Sequence, residues 1–576
     1  MATTGGNGYA PAEFPPPVDV EAEFIAKPEA GEDEAIEVGV AIVGGGPAGL
    51  ACANKLLQLL AEDEELLESL GEVPVAIIEK GKVCGAHNLS GAVMKPGPFK
   101  SIFPDADPDN HPAVEHVAKK DDALWFRNAK SVTAMKPTPP NFANKGNWVI
   151  SISQLSRWMA EQAEEAGAYV LTETAAQQLL VEDGVVKGVK TGDKGRGKEG
   201  EELSSFEPGV EVQAKATVLA EGTWGHLTDA AVKHFNLADG KEPPVWKLGV
   251  KEIWKVSKPF ESIVHFFGWP GRGDADLGES STGGWIYPLG EDKVSIGLLV
   301  PLHTKDATVS AHDMLQTLKG HPYFEKLLDG GEREAWGAKA VQVGGYYSMP
   351  KLSAPGMVLC GESGGMFDMV HIKGVHLAIQ SGILAAEQIY AQLKAGGNDY
   401  SGYEQAIEND AIVGKSLQEA RNFAQLQGSG GMVKGMVLGG INIVSKGKLL
   451  GGRKPHHRDT ETKQELIATP MKDLYPTPDG KRYFDKLSSV FITGNATRDD
   501  APNHIRIEKH VPREVAETWR WMCPAGVYEI PEDAPETGEV DVIVNYTNCV
   551  QCGAITARGG RLTPPEGGDG PLYTQV

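Results

Sequence analysis

Three of the six cysteines in this 576-residue chain lie in two short segments near its end, Cys523-Pro524-Ala525-Gly526-Val527-Tyr528 and Cys549-Val550-Gln551-Cys552. Thiolates gathered in this way suit an iron–sulfur cluster, and their number is a constraint: a cubane normally takes four, and this region offers three. Near the start, Gly44-Gly45-Gly46-Pro47-Ala48-Gly49 has the spacing of a loop that wraps a dinucleotide pyrophosphate. A flavin and a cluster on one polypeptide carry out electron transfer, in which the protein sets potentials and separation and the cofactors supply the chemistry. No zinc-protease motif, nucleophile elbow or acid–base pair calls for hydrolysis. Cys52, Cys84 and Cys360 fall in or beside the nucleotide segments and read as small buried apolar residues.

The elements that position these residues follow from local pattern. Residues 38–43 form a short apolar, β-branched run that reads as a buried parallel strand, and 50–60 read as a helix. In that context Gly44 permits the tight turn, Gly46 lets the backbone approach the pyrophosphate, and Gly49 lets helix pack on strand, with the helix N-terminus facing the anion. A second strand, 74–78, ends in Glu79, whose carboxylate is placed to accept hydrogen bonds from a ribose diol. The gap from Gly49 to Glu79 exceeds the usual ~20 residues, and the acidic stretch 61–72 accounts for the excess as extended helix and loop.

Two later segments favour FAD over nicotinamide. Ala216-Thr217-Val218-Leu219-Ala220-Glu221-Gly222 is a strand running into a glycine turn, where flavoproteins of the glutathione-reductase class return to the nucleotide sheet. Gly356-Met357-Val358-Leu359-Cys360-Gly361-Glu362 is a strand ending at an acid, placed to contact the ribityl or phosphate region, where such folds commonly carry Asp. The chain then enters an alanine-rich helix over 377–393, and a start near Gly374 puts its positive end under the flavin's pyrimidine ring.

A chain of this length with 41% hydrophobic residues buries a large core and divides into two or three domains. Its net charge of −23 makes nucleic acid a poor partner, because affinity there rests on neutralised phosphates. Six scattered cysteines fit a reducing compartment rather than a disulfide framework. The first 36 residues resemble neither a secretory signal nor a mitochondrial presequence, and no run of 18 apolar residues occurs, so membrane contact is expected to be peripheral. Residues 432–458 are the candidate for it. They carry Lys434, Lys446, Lys448, Arg453, Lys454 and Arg458, no acid, and apolar residues from Met432, Val433 and Met436 to Leu449 and Leu450, a composition suited to dipping into an anionic leaflet. A buried glycine-rich hairpin with solvated lysines is the plainer alternative.

The chain resembles the electron transfer flavoprotein–ubiquinone oxidoreductase family from about Val38 onward. The resemblance rests on Gly85-Ala86-His87-Asn88-Leu89-Ser90-Gly91-Ala92, Gly268-Trp269-Pro270, Gly337-Ala338-Lys339-Ala340, Ile372-Lys373-Gly374, the run from Ser381 to Glu387, that from Phe484 to Val490, the Cys523 segment, and Pro565-Glu566-Gly567-Gly568-Asp569-Gly570-Pro571. It implies an α/β (α+β overall) chain with a glutathione-reductase-like FAD-binding Rossmann domain, an inserted quinone-binding sheet domain and a C-terminal ferredoxin-like domain. The corresponding division is a flexible tail at 1–37, the FAD domain at 38–245 and 346–400, the quinone domain at 246–345, a helical membrane-surface region at 401–475 and the iron–sulfur domain at 476–576.

The Gly283-Gly284 pair before Trp285-Ile286-Tyr287 falls where the family's backbone approaches the quinone ring. Two glycines at a strand start also permit close approach of a flat ligand or a simple bulge. The implied partners are electron transfer flavoprotein, ubiquinone or menaquinone, and a membrane surface. The implied location is the cytoplasmic face of a bacterial inner membrane or, as the alternative, the matrix side of the mitochondrial inner membrane. Two rival functions share the FAD segments: a flavin-dependent prenyl reductase or hydroxylase, and a non-catalytic membrane adaptor that binds electron transfer flavoprotein.

The departure from the family lies at the cluster. The family takes one cysteine from the Cys-Pro-Ala-Gly-Val-Tyr segment and three from a Cys-x-x-Cys-x-x-Cys run. Here Cys523, Cys549 and Cys552 match, but the next place is Ile555. A 4Fe-4S cluster with a non-thiolate fourth ligand, a 3Fe-4S cluster, or loss of the cluster with retention of the fold all follow, and three cysteines kept for one site favour a bound cluster.

Overall fold

A computed structural model describes residues 8–31, 34–89, 92–271, 282–427 and 432–576. Ser90 and Gly91 of the resemblance segment lie outside the described residues, as do residues 1–7 of the expected tail and the side chains of Met432, Val433 and Met436.

The nucleotide half is built on a nine-stranded mixed sheet. Its centre is the strand Ile36–Val43, buried without interruption from Val38 to Val43, the continuous burial expected of a parallel strand covered on both faces. It pairs in parallel with Val75–Ile78 on one side and Glu211–Leu219 on the other. Met357–Leu359 then adds in parallel to the C-terminal half of Glu211–Leu219, bringing the two later FAD segments to the same sheet end as the glycine loop. The helix Pro47–Leu60 leaves that loop and packs along Val375–Ala395. Small residues make the crossing close: a Cβ at Gly382 would lie 2.2 Å from the Ala48 carbonyl oxygen.

A second, seven-stranded sheet runs in the order Glu332–Gln342, Trp246–Lys255, Lys293–Pro301, Gly283–Leu289, Ser262–Gly268, Lys120–Asn128, Ser131–Ala134. Alternation along its strands divides two faces. Leu248, Val250, Ile286, Ile296 and Leu298 enter a core with the helix Ala311–Lys319, whereas Gly249, Trp285, Tyr287 and Leu299 face the nucleotide half. In the first core, Glu252 is buried and ion-paired to Lys319 at 2.8 Å and to Arg333 at 3.5 Å; such a charge is tolerated only when paired.

Two boundaries differ from the expectation. The quinone sheet was placed at 246–345, yet its last two strands come from 120–134, because Ser262–Gly268 pairs in parallel with Lys120–Asn128. The N-terminal segment, expected to be a flexible tail, is fixed from Gly8 to Gly31. Asp19 caps the helix Val20–Phe24, Phe24 is buried in the nucleotide core, and Ile25 and Ala26 pair with Leu179 and Leu180. Hydrophobic burial and ladder hydrogen bonds outweigh the acidic, proline-rich composition that suggested disorder.

The C-terminal region consists of short paired strands around the helix Arg513–Met522. Among the described residues no helix is long and apolar enough to cross a membrane.

Candidate functional site

A cavity of about 360 Å³ lies where the nucleotide sheet, the second sheet and the C-terminal region meet, within the ~300–1,000 Å³ of ligand pockets. The glycine loop forms one wall. Gly44 holds φ of 112°, and a Cβ there would sit 2.3 Å from the Ala220 carbonyl oxygen; at Gly49 it would sit 2.2 Å from the Gly44 carbonyl oxygen. These two glycines serve the fold. At Gly46 only the Asn88 side chain comes near, at 3.6 Å, so that position opens onto the cavity. The helix behind it has Gly46 as an N-cap without a side-chain cap and Pro47 in its first turn, which leaves first-turn N–H groups for an anion.

Glu79 lines the same wall. Its two oxygens accept from Gly45 N (2.8 Å) and Gly81 N (2.7 Å), and a carboxylate so held keeps lone pairs for a diol. Gly222, with φ of 72°, meets nothing within 4 Å and lines the cavity. Glu362, also on the wall, accepts from Gln342 N at 2.9 Å, and burial pushes its carboxyl up from the ordinary value. Gly361, with φ of 63°, allows the turn over Ala48; it does not line the cavity. Gly374 is the N-cap of Val375–Ala395, again without a side-chain cap, and both Gly374 and Val375 line the wall.

FAD fits these residues. Besides the open cradle at Gly46, His87 and His504 line the cavity with both ring nitrogens buried and unpartnered, and the Trp224 indole N–H is in the same state. Buried polar atoms are ordinarily satisfied, so a polar ligand answers them. Burial holds His504 down at about 3, a neutral ring that can donate or accept.

Several cavity residues escaped the sequence reading. Glu221 caps the helix His226–His234 through Thr228 N (2.6 Å) and Thr228 Oγ1 (2.7 Å). Lys80 and Lys339 are half-buried cations on the wall. Lys80 donates to Gln551 Oε1 at 2.8 Å and Lys339 to the Gln551 carbonyl at 3.1 Å. Burial, aided by the Lys339 charge, pushes Lys80 down to about 8. Glu221 and Lys339 fall in the 216–222 and 337–340 segments, whereas Lys80, next after Glu79, carries no sequence signal of its own.

On the opposite wall stand Trp285, Tyr287, Leu299 and Gly249. The Tyr287 hydroxyl lies 2.8 Å from His265 Nε2, and His265 stacks on Phe142 at 4.7 Å. Gly283 and Gly284 begin this strand without a bulge, opposite Phe267 and Phe266. Neither lines the cavity; a Cβ at Gly284 would lie 2.1 Å from the Gly297 carbonyl oxygen and 2.4 Å from the Phe266 ring. Residues 272–281, which lead into the pair, lie outside the described residues.

Cys523, Cys549 and Cys552 are free thiols in one neighbourhood, all three acting electrostatically on the buried Tyr528 phenol. Gln551, between the last two, also lines the flavin cavity. Ile555 is buried in the same apolar cluster. The residues present therefore do not supply a four-thiolate cubane. Cys52, Cys84 and Cys360 are buried, and burial raises each thiol, Cys360 to about 12, so they are inert as expected.

The ubiquinone-binding domain model of electron transfer flavoprotein–ubiquinone oxidoreductase matches residues 246–341, that family's 4Fe-4S domain model matches 480–574, and an FAD-binding domain model matches 119–243. The electron transfer flavoprotein–ubiquinone oxidoreductase of Pseudomonas aeruginosa is 36% identical over 572 residues, covering 95% of this chain and 100% of that protein. The human mitochondrial protein of the same name is 35% identical over 570 residues, covering 93% and 89%. A solved geranylgeranyl bacteriochlorophyll reductase-like protein from Thermoplasma acidophilum superposes with a TM-score of 0.52 at 17% identity, covering 73% of this chain and 94% of that one. That likeness concerns the fold alone. By its sequence relatives and its domain complement, the chain belongs to the electron transfer flavoprotein–ubiquinone oxidoreductase family.

Proposed function

We propose that the protein takes electrons from reduced electron transfer flavoprotein and delivers them to ubiquinone while bound at a membrane surface. One observation carries this reading: the cavity that holds the glycine loop continues to the apolar wall of Trp285, Tyr287 and Leu299 on the domain matched by the ubiquinone-binding model. Bound FAD supplies the electron carrier. Gly46 and the first turn of Pro47–Leu60 hold its pyrophosphate, Glu79 its ribose, and the uncapped start of Val375–Ala395 favours negative charge on the ring. Quinone takes up two protons with its two electrons, and the Tyr287 hydroxyl, backed by His265 at 2.8 Å, is the wall group suited to pass a proton to a quinone oxygen.

The surface helix Met432–Val444 supports membrane contact. Val437, Ile441 and Val444 share one helical face and are 57%, 38% and 86% exposed, with exposed Lys434 nearby. Its other side packs through Gly439 against Phe423. Three of the basic residues are partly offset, Lys446 by Glu419, Arg453 by Glu242 and Arg458 by Glu461, so apolar insertion carries more of the contact than charge. The membrane proposed is the cytoplasmic face of a bacterial inner membrane or, as the alternative, the matrix side of the mitochondrial inner membrane, since relatives of both kinds match. Purified protein given reduced electron transfer flavoprotein and a short-chain quinone is expected to consume the quinone; absence of turnover with several such donors would refute the reading.

A further inference from the structure

The cluster domain presents three thiols and one hydrocarbon side chain. Cys523 is the C-cap of Arg513–Met522. Cys549 and Cys552 flank a turn in which Gln551 holds φ of 51°, uncommon for a residue with a side chain. That turn is fixed by the two lysine hydrogen bonds and by Gln551 Nε2 donating to the Asp569 carbonyl at 3.2 Å. The Gln551 N–H reaches Cys549 Sγ at 3.4 Å. An amide aimed at sulfur and two half-buried ammonium groups against one loop are the surroundings of an anionic cluster.

Among the described residues no three His, Cys, Asp or Glu side chains converge closely enough to hold a single metal ion. The thiols are thus not gathered for a zinc-type site, and the match of residues 480–574 to an iron–sulfur domain is what points to a cluster.

Ile555 stands at the place in the chain where the fourth ligand is missing. It precedes the short helix Thr556–Arg558 with helical backbone angles and is 4% exposed. A Cβ added at Gly560 would lie 2.6 Å from Ile555 Cγ1 and 2.8 Å from Ile507 Cγ2, so Ile555 is packed against Ile507 and the Gly560 backbone. An isoleucine offers no donor atom. Each cluster iron takes one protein ligand besides its sulfides, and three thiolates match three irons.

We propose that this chain holds a three-iron, four-sulfide cluster on Cys523, Cys549 and Cys552, with Ile555 filling the corner where the family's four-iron cluster takes its fourth thiolate. The assignment rests on the cluster-domain match, and its test reads the cluster directly. Full-length, flavin-bearing protein purified without oxygen is expected to contain about three irons per flavin. Its oxidised form should give an electron paramagnetic resonance signal that one-electron reduction removes. About four irons, silent when oxidised and visible only on reduction, overturn the proposal, as does iron-free protein. Ile555→Cys should raise the iron to about four and abolish the oxidised signal; a folded variant that keeps three irons overturns the place given to Ile555. Ile555→Val, which adds no donor, should keep both the three irons and the signal, and a gain of iron there counts against the proposal. Quinone reduction measured on the same samples separates the two readings, since three irons without turnover uphold the cluster and refute the function.

Discussion

Gly44, Gly46 and Gly49 look alike in the motif and differ in what a methyl group would strike. At Gly44 and Gly49 it meets backbone oxygen at 2.3 and 2.2 Å, whereas at Gly46 the nearest protein atom is 3.6 Å away and φ is −99°. Gly44→Ala is expected to lower stability by roughly 1–3 kcal/mol or more, from the left-handed backbone together with the clash. Gly46→Val should leave the fold intact and lose FAD. Thermal melting beside the flavin-to-protein absorbance ratio checks both; full flavin in the Gly46 variant would displace the pyrophosphate from this loop. The places of Gly44, Gly46 and Glu79 on the cavity wall were legible because strand, loop and helix are contiguous. The Lys80 and Lys339 roles were not: Lys80 meets Gln551 across 471 residues, and nothing local in either segment records the other.

Elements were read best where their pattern was regular. The continuous apolar run 38–43 and the alanine-rich helix appear nearly as expected, as Ile36–Val43 and Val375–Ala395. The glycine-interrupted stretch at 432–458 gave composition but not helical phase. Its sequence singled out no face, and only the helix Met432–Val444 brings Val437, Ile441 and Val444 together. Changing these three to serine is expected to move the protein from liposomes to the soluble fraction, with flavin content and melting temperature unchanged; undiminished co-sedimentation would assign the face to another role. The Gly283–Gly284 start was legible as a strand end, yet its lack of side chains is used first by the Gly297 carbonyl and the Phe266 ring, partners on neighbouring strands that no local reading identifies.

At the scale of the whole molecule, the flavin cavity is a joint. Gly46 and Glu79 come from the first hundred residues, Trp285 and Tyr287 from the second sheet, and His504 and Thr563 from the C-terminal region. A ligand bound there stabilises all three together; at a free concentration 100 times its Kd the gain is about 2.7 kcal/mol. Flavin removal is expected to lower the melting temperature and to divide one calorimetric transition into two or more, restored to one by added FAD; coincident melting of apo- and holoprotein would mean that the joint is held by protein contacts alone. The second sheet carries a different consequence. Its strand Ser262–Gly268 has Gly283–Leu289 on one side and, on the other, Lys120–Asn128 from far earlier in the chain. A fragment cut at 246–345 would expose a row of main-chain donors and acceptors along a strand whose side chains are mostly buried, a template for addition of further copies. The quinone sheet is thus not a cassette that can be exchanged between flavoproteins: transplantation requires two separate pieces of gene, and an edge-capping mutation in the first would register as aggregation of the second.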